Sequence, residues 1–197
     1  MGITVFGMPP VEIAAALLGV ANIVLLVRRS IWNYVFGLAS VALYVVVFHS
    51  SLLYSDAALQ VFFFVVQLYG WWNWYHAREG DGLIRVELMT NVERWAWSAA
   101  IVVAAASEGW YLWHYTNDSA PWLDATTTAM SVVAQYLLSV RKLENWILWM
   151  AVDVVQVGLY YWKGLYPTTG LYIIYLVMSG VGFWEWRRHL QQEEATA

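Results

Sequence analysis

The stretch that decides the fold runs from residue 31 to residue 77 and reads IWNYVFGLASVALYVVVFHSSLLYSDAALQVFFFVVQLYGWWNWYHA. It holds two mostly apolar runs, 31–49 and 57–77, each close to the length of roughly 20 residues that an α-helix needs to cross the hydrocarbon core of a bilayer. Both runs are too long for strands and lack the alternation of a half-buried strand. The stretch therefore predicts two transmembrane helices joined by a short polar connection.

The composition of the whole chain extends this prediction. Of 197 residues, 61% are hydrophobic and 12% are charged, whereas soluble domains are about 45–50% apolar and about 25% charged. A soluble enzyme, a nucleic-acid-binding protein and a disordered tail are excluded. The chain has no cysteine, which excludes disulfides, thiolate catalysis and cysteine-ligated metals. The four histidines show no ligand spacing, so we expect neither a metal nor a cofactor.

Similar apolar runs continue through the chain, and three of them begin at or just after a proline, where the missing N–H is harmless. The predicted spans are 11–27, 31–49, 57–77, 94–113, 121–140, 145–163 and 168–187. In a seven-span chain, nine of the ten basic residues fall on one side, with Lys163 alone on the other. The positive-inside rule then predicts an extracytoplasmic N-terminus and a cytoplasmic C-terminus.

An internal repeat divides the chain. Sliding the sequence by 112 residues aligns 33–74 with 145–186, and ten of these 42 positions are identical. Shared apolar composition alone would give about three matches, and it remains the alternative explanation. Because four spans separate equivalent helices, both halves face the same way, as in parallel-repeat transporters. We expect a first three-helix half over 1–77, a cytoplasmic loop and linker helix over 78–114, and a second half with a C-terminal tail over 115–197.

Polar residues recur every three or four positions in several spans, which places them on one helix face. Polar and ionisable groups at membrane depth are costly and usually mark a functional pathway. Asp153 lies near the middle of the sixth span, and Asn22 is the polar residue of the first. We interpret Trp72, Trp146 and Trp184 as anchors at the membrane interface. The candidate ligand-binding residues are Tyr44, Gln67, Trp71, Ser131, Gln135, Trp149, Asp153, Gln156, Tyr175 and Ser179.

These side chains suit a flat heteroaromatic ligand that carries hydroxyls and a positive charge. Indole and phenol faces stack on a ring, amides pair with its polar edge, and cation–π attraction adds about 0.5–2 kcal/mol. Alternatively, Gln67, Gln135 and Gln156 serve only as hydrogen-bonding contacts between helices. The chain has no GxSxG, HExxH or glycine-rich phosphate loop, so we expect a protein without enzymatic activity.

Three runs resemble the PnuC-type family of bacterial vitamin transporters: NYVFGLASVALYVVVF, LLYSDAALQVFFFVVQLYGWWNW and RKLENWILWMAVDVVQVGLYYWKGLYPTTGLY. The likeness covers about 30–77 and 124–187. It implies an all-α integral membrane fold of seven helices in a SWEET-like 3+1+3 arrangement, a homotrimer in the bacterial inner membrane, and facilitated diffusion. It also implies a cytoplasmic kinase that traps the substrate by phosphorylation.

The same resemblance assigns site residues. Gln67 and Trp71 match the third-helix contribution to a site between the two halves, and Asn145 and Trp149 belong to the ENWxLW block. Some members of the family have Asn where this chain has Asp153. Nicotinamide riboside, which bacterial members of the family move, is our first prediction for the substrate. Thiamine, which is also a cationic heteroaromatic and is not separated from it by Asp153, is the second, and riboflavin is a further alternative. A membrane scaffold or sensor without transport, and a sugar carrier of the SWEET type, are the alternatives from other classes.

Overall fold

The computed structural model describes residues 10–50, 54–77, 84–164 and 166–196, and in these ranges every regular element is an α-helix. The seven helices are α1 (Pro10–Val27), α2 (Asn33–Ser50), α3 (Tyr54–His76), α4 (Asn91–Tyr115), α5 (Pro121–Ser139), α6 (Asn145–Trp162) and α7 (Tyr166–Thr196). The prediction of an all-α chain with seven helices is confirmed. The last helix extends well past the predicted end at residue 187, because the polar segment that follows the apolar run continues the same helix.

Two of the described helices are long and apolar enough to cross a bilayer by length and composition alone. They are α1, with a mean hydropathy of 2.2, and α2, with a mean hydropathy of 1.5. The third helix, although 23 residues long, carries glutamine and asparagine among its apolar residues.

The chain divides into two compact units, Met1–Arg85 and Val86–Ala197. In the first unit α2 packs against both α1 and α3. In the second unit α6 packs against both α5 and α7, and α4 packs against α5. Each unit therefore has a middle helix, α2 or α6, whose two sides are covered by its neighbours.

The turn before each middle helix is the same to the level of single hydrogen bonds. Arg29 and Arg141, which are 112 residues apart, adopt the left-handed region with φ of 55° and 63°. Arg29 N–H donates to the Leu26 carbonyl at 2.9 Å, and Arg141 N–H donates to the Leu138 carbonyl at 3.0 Å. In each turn, the N–H of the residue after the arginine donates to the carbonyl that lies one position before the carbonyl bound by the arginine N–H. This is a Schellman ending in which arginine stands where glycine is usual.

A pair of buried aromatic rings also recurs at the 112-residue spacing. Tyr34 and Trp74 meet edge to face at 5.2 Å and 89°, and Trp146 and Trp186 meet at 5.5 Å and 89°. Trp74 and Trp186 are 0% exposed and Trp146 is 1% exposed. The interpretation of Trp146 as an interface anchor is therefore wrong, because its ring packs inside the second unit.

Hydrogen bonds and ion pairs join a short segment before α4 to the turn between α5 and α6. Glu87 pairs with Lys142 through the backbone, and its carboxylate contacts both Arg141 and Lys142 at 3.1 Å. Partial burial acts to raise the pKa of Glu87, but hydrogen bonds from the two cations outweigh it and hold the pKa below its ordinary value. Glu144 accepts from the Met89 N–H and forms an ion pair with Arg94 at 2.8 Å.

Candidate functional site

The middle helix of the second unit carries a buried carboxylate. Asp153 is 4% exposed, and Ser179 of α7, itself 5% exposed, donates a hydrogen bond to its Oδ2 at 3.1 Å. Among the described residues of this unit, no ion pair involves Asp153. Because a hydroxyl compensates a buried charge only in part, the carboxylate retains the capacity to attract a cation. The two predicted residues are thus brought into direct contact.

Gln156 lies one turn further along α6 and reaches α5. Its Nε2 donates to Thr127 Oγ1 at 3.5 Å, and Thr127 in turn donates to backbone carbonyls of its own helix, including that of Leu123 at 3.0 Å. Since the Thr127 proton is already engaged, its oxygen can only accept, which fixes the Gln156 amide with Nε2 toward α5. Gln156 Oε1 is buried and has no hydrogen-bond partner among the described residues. It is an acceptor to which a ligand could donate.

Tyrosine rings lie beyond Gln156 at the same end of α6. The Tyr160 and Tyr172 rings are 5.1 Å apart, and the Tyr172 and Tyr175 rings are 5.7 Å apart. The predicted residue Tyr175 is thus one member of a ring cluster that spans α6 and α7.

The first unit brings two amides to its own middle helix. Gln67 of α3 is 6% exposed, and its Oε1 lies against Gly37 of α2. Asn22 of α1 reaches the same glycine, with its Nδ2 3.0 Å from the position that a Cβ would occupy. Tyr44, two turns after Gly37 on the same face of α2, stacks on Phe48 at 5.5 Å.

The remaining predicted residues have less specific surroundings. Trp71 lines a shallow depression of about 250 Å³ on α3, together with Leu68, Trp72 and Tyr75. Gln135 is buried in α5, whereas Ser131 and Trp149 are half-buried. These placements leave the ligand-binding roles of all four residues as predictions.

Sequence reasoning missed Thr127 and Gly37. Thr127 lies four residues before Ser131 and eight before Gln135, on the same helix face, so the helical spacing of these two candidates could have indicated it. Gly37 gave no signal, because the need for a glycine arises from side chains of two other helices.

The arrangement on α5, α6 and α7 can bind a ligand. It offers a carboxylate, amides with an unpaired acceptor, and aromatic rings. Within the described ranges, no group of three or more acidic or histidine side chains could hold a metal ion. These side chains suit an aromatic cation with hydroxyl or amide groups.

Comparison with known sequences identifies the family. The pattern of the family described as nicotinamide mononucleotide transporter matches residues 9–188. The chain belongs to that family. A nicotinamide riboside transporter PnuC from Neisseria mucosa is 31% identical over 189 residues, covering 88% of this chain and 70% of the relative. The PnuC of Escherichia coli is 25% identical over 201 residues, covering 88% and 84%.

A transporter of a different vitamin is also similar to this chain. The riboflavin/roseoflavin transporter RibM of Streptomyces davaonensis is 31% identical over 182 residues, covering 90% of this chain and 84% of the relative. The crystal structure of a vitamin B3 transporter PnuC matches with a TM-score of 0.75 and 27% identity, covering 92% of this chain and 82% of that one. Membership makes this chain a membrane protein with a transporter role, and the resemblance to PnuC-type proteins is confirmed.

Proposed function

We propose that this protein takes up nicotinamide riboside across the bacterial inner membrane. Relatives of that name support the substrate. The observation that carries the proposal is the buried Asp153 carboxylate, whose described partner is a neutral hydroxyl. Nicotinamide riboside has a positively charged ring, which such a carboxylate would attract, and it has amide and hydroxyl groups, which can donate to an acceptor such as Gln156 Oε1.

The same carboxylate argues against the phosphorylated form as a ligand. A phosphate group carries negative charge, and like charges at short range repel. Unphosphorylated riboside would therefore enter, and phosphorylation by a cytoplasmic kinase would prevent its return. Transport is then facilitated diffusion, driven by removal of the substrate inside the cell.

Riboflavin is the second candidate, supported by the 31% identity to RibM over 90% of the chain. Thiamine, which is also cationic, is the third. The isoalloxazine ring of riboflavin is neutral and would gain nothing from Asp153. The charge of the ring therefore separates riboflavin from the other two.

The protein's architecture is proposed as a 3+1+3 arrangement related to that of SWEET transporters. The equivalent helix starts support it, since α2 and α6 begin 112 residues apart, as do α3 and α7. We propose α1–α3 and α5–α7 as the repeats, with α4 between them in the chain. A homotrimer, with the N-terminus outside and the C-terminus in the cytoplasm, completes the proposal.

The test is titration calorimetry on the detergent-purified protein with nicotinamide riboside, its 5′-phosphate, thiamine and riboflavin. We expect saturable binding of the riboside and none of the phosphate. Tight binding of riboflavin alone would replace the proposed substrate, and absence of binding by all four would favour a scaffold. In proteoliposomes, uptake should be accelerated by an enclosed riboside kinase with ATP and should not depend on an imposed proton or sodium gradient.

A further inference from the structure

Gly37 lies in the first half of α2, where side chains from both neighbouring helices reach the helix backbone. A Cβ at this position would overlap Oε1 of Gln67 and would lie 3.0 Å from Nδ2 of Asn22. The two amides therefore occupy the space that any other residue at position 37 would fill. Small residues commonly allow such close approach between membrane helices.

The second unit shows that the repeat itself does not require this glycine. The residue 112 positions after Gly37 is Trp149, and the counterparts of Asn22 and Gln67 are Ala134 and Ser179. Ala134 is 0% exposed, and Ser179 is engaged with Asp153. Elsewhere, Gly109 and Gly182 make room for the indole rings of Trp122 and Trp146 rather than for polar groups. A glycine is thus found at this position of the repeat in the unit that has the two amides, and not in the unit that lacks them.

We propose that Gly37 is a positioning residue for ligand binding, which holds the Gln67 amide in one orientation against α2. This inference rests on the proposed function and on the predicted role of Gln67 as a ligand contact. A glutamine side chain has three rotatable bonds, and a ligand that must order it loses affinity. Confinement of the amide between Gly37 and Asn22 removes that cost before the ligand arrives.

An added methyl group at position 37 should displace the amide without separating the helices. The atom that it meets first is the far end of a flexible side chain, which can move, rather than backbone. Gly37→Ala should therefore weaken nicotinamide riboside binding by tenfold or more and leave the melting temperature close to that of a matched control. That control is Gly158→Ala on α6, where a Cβ meets nothing within 4 Å, and it should bind like the wild type.

A double-mutant cycle separates this role from a general packing role. If Gly37 acts through Gln67, the double variant Gly37→Ala/Gln67→Ala should bind no more weakly than Gln67→Ala alone. Losses that multiply would show that Gly37 acts independently of Gln67 and would overturn the inference. A Gly37→Ala protein that melts far below Gly158→Ala would also overturn it, because the glycine would then serve helix packing.

Failure of the proposed function has a different signature. A wild-type protein that binds none of the four ligands would overturn the function and this inference together. A wild-type protein that binds the riboside, beside a Gly37→Ala variant that binds it equally well, would overturn this inference alone.

Discussion

Under the proposed function, Asp153 is the residue whose charge we expect to matter most for the choice of substrate. Its described partner, Ser179, supplies one hydrogen bond and no positive charge. Two unit charges 4 Å apart attract by about 4 kcal/mol at an effective dielectric constant of about 20. Much of that attraction is offset when the cation leaves water, but the remainder can still discriminate between a charged ring and a neutral one.

The negative charge of Asp153 can be removed with little change in the shape of the side chain. Asp153→Asn keeps an oxygen that accepts from Ser179, and it should weaken nicotinamide riboside binding at least tenfold, or about 1.4 kcal/mol. Binding of the riboside reduced at its ring, which is neutral, should change much less. Calorimetric titration of both ligands checks this. Ser179→Ala, which keeps the negative charge of Asp153, is the matched variant. If Asp153→Asn lost the same affinity for both ligands, a charge effect would be contradicted.

Thr127 is expected to act through Gln156. Thr127→Ala removes the acceptor that orients the Gln156 amide, and we expect it to weaken riboside binding about three- to tenfold, whereas Thr127→Ser should bind normally. Thr126→Ala is the control, because Thr126 also donates to the carbonyl four residues back, that of Trp122, and has no contact with Gln156 among the described hydrogen bonds. Equal effects of Thr126→Ala and Thr127→Ala would indicate a change in the helix rather than in the amide.

The turns between helices show why arginine is tolerated at a left-handed position. Non-glycine residues are disfavoured there, yet Arg29 and Arg141 both adopt it. Each side chain makes a contact that glycine could not make. Arg29 donates to the Ile84 carbonyl at 3.0 Å, and Arg141 pairs with the Glu87 carboxylate. The contact offsets the backbone strain, so the turn also anchors the segment before α4.

This anchor predicts a pH dependence of stability. The folded pKa of Glu87 is lowered, so its contribution is present above the unfolded pKa of about 4.5 and is lost as pH falls through the folded pKa. The side chain is 47% exposed, which limits the contribution to about 1 kcal/mol or less. Melting curves between pH 7 and pH 3 should show Glu87→Gln less stable than wild type at pH 7, with the difference closing in acid. A constant difference would exclude this linkage.

Membrane orientation is a property of the whole molecule, and the chain is well suited to its measurement. It has no cysteine, so a single introduced thiol is the only site for a maleimide reagent. We expect Lys163→Cys to react with an impermeant maleimide added outside intact cells. Arg85→Cys and Arg188→Cys should react only after the membrane is opened, and the reverse pattern would invert the proposed orientation.

Hydropathy predicted the seven helices well, because each apolar run must be long and continuous. The 112-residue repeat predicted where equivalent helices begin, since α2 and α6 start at the two aligned asparagines, Asn33 and Asn145. Trp146 shows where this reasoning stops. A tryptophan near a span end has the same sequence signature whether it faces the interface or packs on a second ring, and only the neighbouring helix decides between them.

The candidate site was predictable only one helix at a time. Helical spacing correctly placed Asp153 and Gln156 on one face of α6, but it contained no information about what α5 and α7 would present to them. The bond from Ser179 and the contact with Thr127 depend on how adjacent helices are rotated. Gly37 depends on two neighbours at once and was therefore the least accessible to prediction.

The edge-to-face contact of Trp146 and Trp186 gives the second unit an optical signature of its own. Two indoles 5.5 Å apart and nearly perpendicular couple their electronic transitions and produce a pair of circular dichroism bands of opposite sign in the far ultraviolet. The equivalent contact in the first unit joins a phenol to an indole, whose transitions differ in energy and couple more weakly. A difference spectrum against Trp186→Phe would thus report the folding of one unit without any attached label.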